Sequence, residues 1–298
     1  GGTGVDTLNY LLTADLFTGT ALVDNITGNG GTDVLLLGTS GTTFAIASTD
    51  IWTRAATVES ITSVANTAIV SITLDESSVA AGIVTVDLSG DTNATGNNVI
   101  DVSNVTTATA YALTGSAGVD VITGGIGLDT IVAGDGGDTI IVATSGAADT
   151  DVMTGGNNTD TLQLNGTGST HTFATDASLA TIENITNGAG AGNAVTAVLT
   201  GQTEAFAYAG SSGIDTITVG AGTFTHTGGL TATDVINATA GVASTVVTAD
   251  ATTITFNGSS VINTFTNTGN GAISFTGAGG ADVYTGGSGV DTLNYLLT

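Results

Sequence analysis

A nine-residue pattern, Gly-Gly-x-Gly-x-Asp-x-apolar-x, recurs along the chain and limits its fold more than any other feature. The cleanest copies are Gly1 to Asn9 (GGTGVDTLN), Gly124 to Val132 (GGIGLDTIV) and Gly286 to Asn294 (GGSGVDTLN). Variants start at Gly28, Gly115, Gly155, Gly210 and Gly277, and weaker ones at Ala133 and Gly146. Copies starting at 115, 124 and 133 abut. After the insert Val142 to Ser145, copies at 146 and 155 abut, as do those at 277 and 286. All ten place Asp at the sixth position. Nine residues leave room for one tight turn and one short strand. The glycines permit positive φ and expose carbonyls, the Asp ends the turn, and the middle residue of the x-apolar-x tail points inward. Units of this kind bury an apolar face only by stacking on neighbours about 4.8 Å away, as in a solenoid.

Two longer repeats set the scale. An apolar-acid-x-apolar-Thr step occurs at Val23-Asp24-Asn25-Ile26-Thr27, Val58-Glu59-Ser60-Ile61-Thr62 and Ile182-Glu183-Asn184-Ile185-Thr186. It suggests a larger unit of Gly/Asp turn, strand, variable excursion and closing strand. Gly1 to Thr13 (GGTGVDTLNYLLT) and Gly286 to Thr298 (GGSGVDTLNYLLT) agree at twelve of thirteen positions, differing only at Thr3 and Ser288. The expected organisation is one tandem repeat unit, 1–285, with 286–298 opening the next. Gly1, with no start Met, reads as an internal position of a longer protein.

Amphipathic helical periodicity is poor, whereas alternation is frequent, as in Thr253-Ile254-Thr255-Phe256, Ile83 to Leu88 and Thr216 to Val219. The 60 threonines and the scarcity of Lys, Glu and Gln favour strands over helices. No proline interrupts them. The expected fold class is all-β, a parallel β-solenoid with Gly/Asp turns densest at 115–163. At roughly 18–30 residues per coil it makes about 10–16 coils.

Charge excludes several functions. Arg54 is the single Lys or Arg against 26 acids, a formal net charge of -25. Such a chain cannot grip a phosphate backbone or an anionic membrane. Without cysteine it offers no disulfide, thiolate nucleophile or Cys-based zinc site. With 41% apolar residues, disorder is disfavoured. No local signature joins a His, an acid and a nucleophile, and aromatics are 5%, too few for a sugar-lined cleft, so no enzyme activity is expected.

Stacked acidic turns repel unless cations lie between them. Carboxylates and carbonyls from neighbouring turns make oxygen-only cages, which suit calcium better than magnesium or a softer metal. At these residues the sequence resembles the RTX (repeat-in-toxin) calcium-binding repeats, over ten copies and about 90 residues. The resemblance implies a parallel β-roll, with ions between turns eighteen residues apart. It implies a site joining the turn Gly115 to Asp120 with the turn Ala133 to Asp138. Asp120 and Asp138 supply the carboxylates there, with carbonyls from turns containing Gly115, Gly118, Gly124, Gly127, Gly134 and Gly136. Asp129, Asp151 and Asp160 serve neighbouring sites, assisted by Asp149 and Asp135. Asp6, Asp33, Asp215, Asp282 and Asp291 hold the same position in other copies. Two departures stand out. The residue before the Asp is often Val, Leu or Ile here, where the family often has Asn. The motifs at 1, 28 and 210 are isolated, so each needs a partner from a distant coil or another molecule.

The mixture of such turns with Thr/Ala/Gly-rich strands also resembles calcium-dependent bacterial surface-layer proteins. That implies secretion and self-assembly outside the cell. The expected function is a structural repeat segment of a calcium-stabilised extracellular filament or surface layer; the alternative is a spacer in the stalk of a giant RTX-type adhesin. Several Ca2+ ions are the expected cofactors. Other copies of the chain are the expected partners, with cell-surface polysaccharide open as a further one, and with neither nucleic acid nor membrane insertion. His171 and His226, each in Thr-His-Thr, read as solvent-facing. Arg54 reads as one half of a local salt bridge. Tyr10-Leu11-Leu12 and Tyr295-Leu296-Leu297 read as core at the repeat junction.

Overall fold

A computed structural model describes residues 1–65, 67–142, 151–173, 175–190, 192–227, 234–249 and 253–295. The chain is 46% strand and 5% helix, and its parallel sheets stack as a β-solenoid of about 11 turns. It divides into two compact units. Among the described residues the first holds 1–142 and 151–160, and the second 161–295.

Two parallel sheets build the first unit. One runs through Thr7–Tyr10, Val34–Leu37, Ser60–Ser63, Thr85–Asp87, Ala112–Thr114, Thr130–Asp135 and Val152–Asn157. The other runs through Thr43–Ile46, Ile69–Asp75, Asn97–Asn104, Val119–Thr123 and Thr139–Val142. Alternation buries every second side chain, and register stacks like on like. Leu35, Ile61, Val86, Leu113, Ile131 and Met153 form one buried column. Ile72, Ile100, Ile122 and Ile140 form another. Dispersion and burial along such columns favour one register, because a one-residue slip would turn each strand inside out.

Coil length varies. Thr7 pairs with Val34, 27 residues on, whereas Ala112 pairs with Thr130 and Val121 with Thr139, each 18 on. Longer coils carry excursions, such as the helix Glu76–Ala81. Asp75 caps it by accepting from the Ser77 amide at 3.0 Å, and Gly82 closes it at φ 101°.

The second unit also has two parallel sheets. One follows Thr161–Leu164, Asn184–Asn187, Phe206–Ala209, Thr223–Thr227, Thr245–Thr248, Thr264–Asn267 and Val283–Thr285. The other follows Ser169–Thr172, Val195–Val198, Thr216–Val219, Asp234–Ala238, Ile254–Asn257, Ile273–Gly277 and Thr292–Tyr295. Its interior is ringed with aromatics. Phe256 lies 5.0 Å from Phe265 and 5.5 Å from Phe275, and Tyr284 stacks on Phe265 at 5.9 Å.

Three side-chain expectations need correcting. His171 and His226 are buried, not solvent-facing. In Thr223–Thr227 the apolar Phe224 sets the phase of the alternation, and His226, two residues on, shares its inward face. Phe173 does the same for His171, whose ring bonds to Ser169 Oγ and the Asn165 carbonyl, each at 2.9 Å. Arg54 forms no described ion pair. It donates to Asn25 Oδ1 and the Leu22 carbonyl, each at 2.9 Å. Tyr10 is core, but Leu11 and Leu12 are exposed. They leave the sheet just before the helix Thr13–Leu16, whose Leu16 fills the interior instead.

Candidate functional site

The motif Asp stands at or just before the start of its strand, and in several copies its carboxylate makes bonds of two kinds. One oxygen closes its own turn: Asp6 Oδ2 accepts from the Gly2 amide at 2.6 Å, and Asp129 Oδ2 from the Gly125 amide at 2.8 Å. The other reaches back one coil. Asp138 Oδ1 accepts from the Asp120 amide at 2.8 Å, Asp160 Oδ1 from the Asp138 amide at 2.8 Å, and Asp151 Oδ1 from the Asp129 amide at 2.7 Å. Asp129 itself reaches the Tyr111 amide at 2.9 Å. These bonds make ladders of acids climbing the solenoid beside the sheets.

The expected partnership of Asp120 with Asp138 is present in the folded chain, with Asp160 one coil further and Asp129 with Asp151 on a second ladder. The motifs isolated in sequence find partners in other coils of the same chain, the first of the two alternatives expected for them. Asp33 Oδ1 accepts from the Asp6 amide at 2.9 Å, because the 27-residue coil between them returns to the same edge. Asp215 pairs in the same way with Asp234, whose Oδ1 accepts from the Asp215 amide at 2.8 Å. Asp282 bonds the Asn263 amide at 2.9 Å and Asp291 the Ile273 amide at 3.1 Å. Asp135 is exposed and accepts from the Asn157 side chain, away from the ladder. Asp149 lies outside the described residues.

The glycines serve mainly close approach. A Cβ at Gly115 would lie 2.0 Å from the Ala133 carbonyl and 2.5 Å from Asp120 Oδ2. Comparable carbonyl clashes await at Gly118 and Gly127, and at Gly124 the Asp129 carboxylate would be 3.0 Å away. Of the six glycines expected at the site, only Gly134 and Gly136 have positive φ, 118° and 131°. Omitting the side chains lets the carbonyls and carboxylates of successive turns crowd together.

Burial makes that crowding costly for charge. It pushes the Asp138 carboxyl up to about 7, with Asp120, Asp160 and Asp135 adding repulsion. It pushes Asp120 up to about 6 against the opposing pull of bonds from Ser116 and Asn98, while Asp91 adds to the rise. Asp129 and Asp215 are raised by burial as well.

Several ladder members escaped the motif search. Glu59 Oε2 accepts from the Asp33 amide at 2.8 Å, so the acid of the Val-Glu-Ser-Ile-Thr step is a ladder group. Asn98 Oδ1 accepts from the Val70 amide at 2.7 Å, and Asn263 Oδ1 from the Ser259 amide at 2.7 Å. Asp234 completes the set, with His226 Nε2 3.1 Å from its Oδ2 and Tyr208 stacked on His226 at 5.7 Å. The readable signal was an Asp, Asn or Glu directly before an x-apolar-x strand, with or without glycines.

The donor set is oxygen throughout the tandem run, and it suits a hard cation. Asp33 Oδ2 and Asp138 Oδ2 are buried and accept no hydrogen bond. Among the described residues no three His, Cys, Asp or Glu side chains converge on one point. An ion here would therefore draw on one or two carboxylates and complete its shell with main-chain carbonyls, a mixture calcium accepts.

Comparison with family models, curated proteins and solved structures gives no match. No helix among the described residues is long and apolar enough to cross a membrane.

Proposed function

We propose that the chain is a structural repeat segment of a calcium-stabilised, self-assembling extracellular bacterial filament or surface layer. The observation that carries this reading is the excess of charge in the ladders. Asn98 makes the link between coils with a neutral amide, and Asn263 closes its own turn the same way. A carboxylate at Asp120 or Asp138 therefore brings a charge that the hydrogen bonds do not need, at a desolvation cost they do not offset. A bound cation gives that charge a purpose and converts binding free energy into folding free energy. Asp33, Asp120, Asp129, Asp138, Asp151 and Asp160, with carbonyls of the adjoining turns, are the groups that would hold calcium. The resemblance to RTX repeats supports the same ion.

A structural role fits the uniform interior of apolar and aromatic columns and the near-absence of cations. The matching segments 1–13 and 286–298 favour assembly with further copies, and the acidic composition suits a calcium-rich exterior. The test is circular dichroism with light scattering, before and after chelation, then with calcium or magnesium restored. Loss of β signal and particle size on chelation, reversed by calcium alone, is expected. Unchanged folding and size would refute it. A folded strict monomer in calcium would favour the adhesin stalk.

A further inference from the structure

The rung that joins Asp215 to Asp234 holds a basic side chain, which the rungs of the first unit lack. In residues 1–160 the single basic side chain is Arg54, engaged by Asn25 and the Leu22 carbonyl. The backbone half of the rung follows the pattern of Asp120 and Asp138. Asp234 Oδ1 accepts from the Asp215 amide at 2.8 Å, and Asp215 Oδ1 accepts from the Val195 amide at 2.8 Å. The other carboxylate oxygen is where the units part. Asp138 Oδ2 is buried and accepts no hydrogen bond. Asp234 Oδ2 lies 3.1 Å from His226 Nε2. Asp215, Asp234 and His226 are all buried, at 0%, 1% and 0% exposure.

Two acids meet at this rung. A Cβ at Gly210 would lie 3.0 Å from Asp215 Oδ2 and 3.2 Å from Asp234 Oδ2, so both oxygens border the one gap that the glycine leaves. Donors favour the ionised form of Asp215, which also accepts from Asn187 Nδ2 at 2.8 Å and the Ser211 amide at 3.3 Å. Tyr208 stacks on the His226 ring at 5.7 Å. Burial, with Asp215 and Asp234 beside it, pushes the Tyr208 hydroxyl up, so the phenol stays neutral. Thr248, in register with His226 on the next strand, carries no charge. The other histidine, His171, is engaged by Ser169 and the Asn165 carbonyl. Among the described residues His226 is thus the group at this rung that can carry positive charge. Burial by itself favours a neutral imidazole, but an unanswered buried carboxylate costs more than an ion pair in close contact.

We propose that protonated His226 is the resident cation of the Asp215–Asp234 rung, which a proton locks where the rungs of the first unit call for calcium. This rests on the reading that a buried rung needs a cation, and it assigns different cations to different rungs. An imidazolium held by Asp234 keeps its proton above the ordinary histidine value of about 6.5. The sign of the linkage follows. The stabilisation is complete below about pH 6.5 and is lost as pH rises through the higher folded value. The second unit therefore carries a single latch that opens in alkali, above the range in which Asp120 and Asp138 titrate, and that works without calcium.

The chain has two histidines, so each imidazole can be followed by NMR and assigned by its loss in His226→Gln or His171→Gln. The full chain, isotopically labelled at histidine, is titrated in calcium. At about pH 7.5 the protonated fraction of His226 should be several times the roughly one tenth of a free imidazole. Asp234→Asn should bring it down to the free value or below. If that variant does not fold, the parent titration decides alone. A His226 no more protonated than a free imidazole would overturn the proposal, and a Trp52 melt that still climbs with calcium would then leave the calcium reading standing. His226 signals that lose their proton when calcium is added at fixed pH would also overturn it, because the ion would then be taking the proton's place. A charged His226 in a chain whose Trp52 melt ignores calcium would support the latch and count against the calcium reading instead.

Discussion

The two units solve the same problem, joining parallel coils, with different chemistry. In residues 1–142 and 151–160 the coils are tied at their turns by buried acids, with Asp33, Asp120, Asp129, Asp138, Asp151 and Asp160 all on ladders. In residues 161–295 the ladder acids are sparser, and neutral Asn263 takes one rung. There the cohesion comes from stacked rings: Tyr208 on Phe224 at 6.0 Å, and the group Phe256, Phe265, Phe275 and Tyr284. Aromatic stacking stabilises without regard to ions, whereas a column of carboxylates does so only when its charge is answered. The first unit should therefore depend on calcium and pH, and the second much less.

The largest expected effect breaks the ring column. Phe265→Ala empties a fully buried site and should cost about 3–5 kcal/mol, equally with and without calcium, by denaturant unfolding followed through tyrosine signals. A strong calcium dependence of that loss would erase the contrast between the units.

Next comes the acid ladder. Asp138→Ala leaves the buried Asp120 amide without an acceptor and should cost about 1–3 kcal/mol in chelator, and more in calcium, where it also removes a ligand. Asp138→Asn keeps that bond and removes the charge. It should match or exceed the parent in chelator and fall below it in calcium, as read by thermal melts. The same ranking in both buffers would show that the charge has no cation to serve.

The pH response has a definite sign. Asp120 and Asp138 have folded values of about 6 and about 7, above the ordinary 3.8 of an unfolded Asp. Across that window the folded chain holds more protons than the unfolded one. Calcium-free stability is thus fully present near pH 4 and declines as pH rises to about 7. Melting temperatures in chelator across that range check it, and calcium should flatten or reverse the trend. The smallest effect is at Arg54. Arg54→Ala removes one exposed and one part-buried hydrogen bond and should cost about 1 kcal/mol by denaturant melts. It should also abolish the one tryptic cut that gives two fragments.

Much of the fold was legible because stacking turns a local pattern into a global one. Thr216–Val219 and Ile254–Asn257 alternate in the expected sense, and the sixth-position Asp marks a coil edge wherever it occurs. What could not be read was coil length. Nothing local in residues 10–33 says that the excursion closes after 27 residues, so Asp6 and Asp33 looked solitary although they touch. Nor did the polar setting of His226 reveal its burial, because the phase of that strand is decided by Phe224. Glu59 and Asn98 were hidden for a related reason. A ladder needs an acceptor at the right height, not the glycines that advertise it.

The central claim is that the acids of the first unit await calcium, and Trp52 reports on that unit directly. It is the single tryptophan, buried at 1% exposure with its ring edge-on to Phe17 at 5.2 Å. Thermal unfolding followed by its fluorescence, in chelator, in calcium and in magnesium, is the most direct measurement. The account predicts a midpoint that climbs with calcium concentration and ignores magnesium. A midpoint that is the same in calcium and in chelator would contradict it.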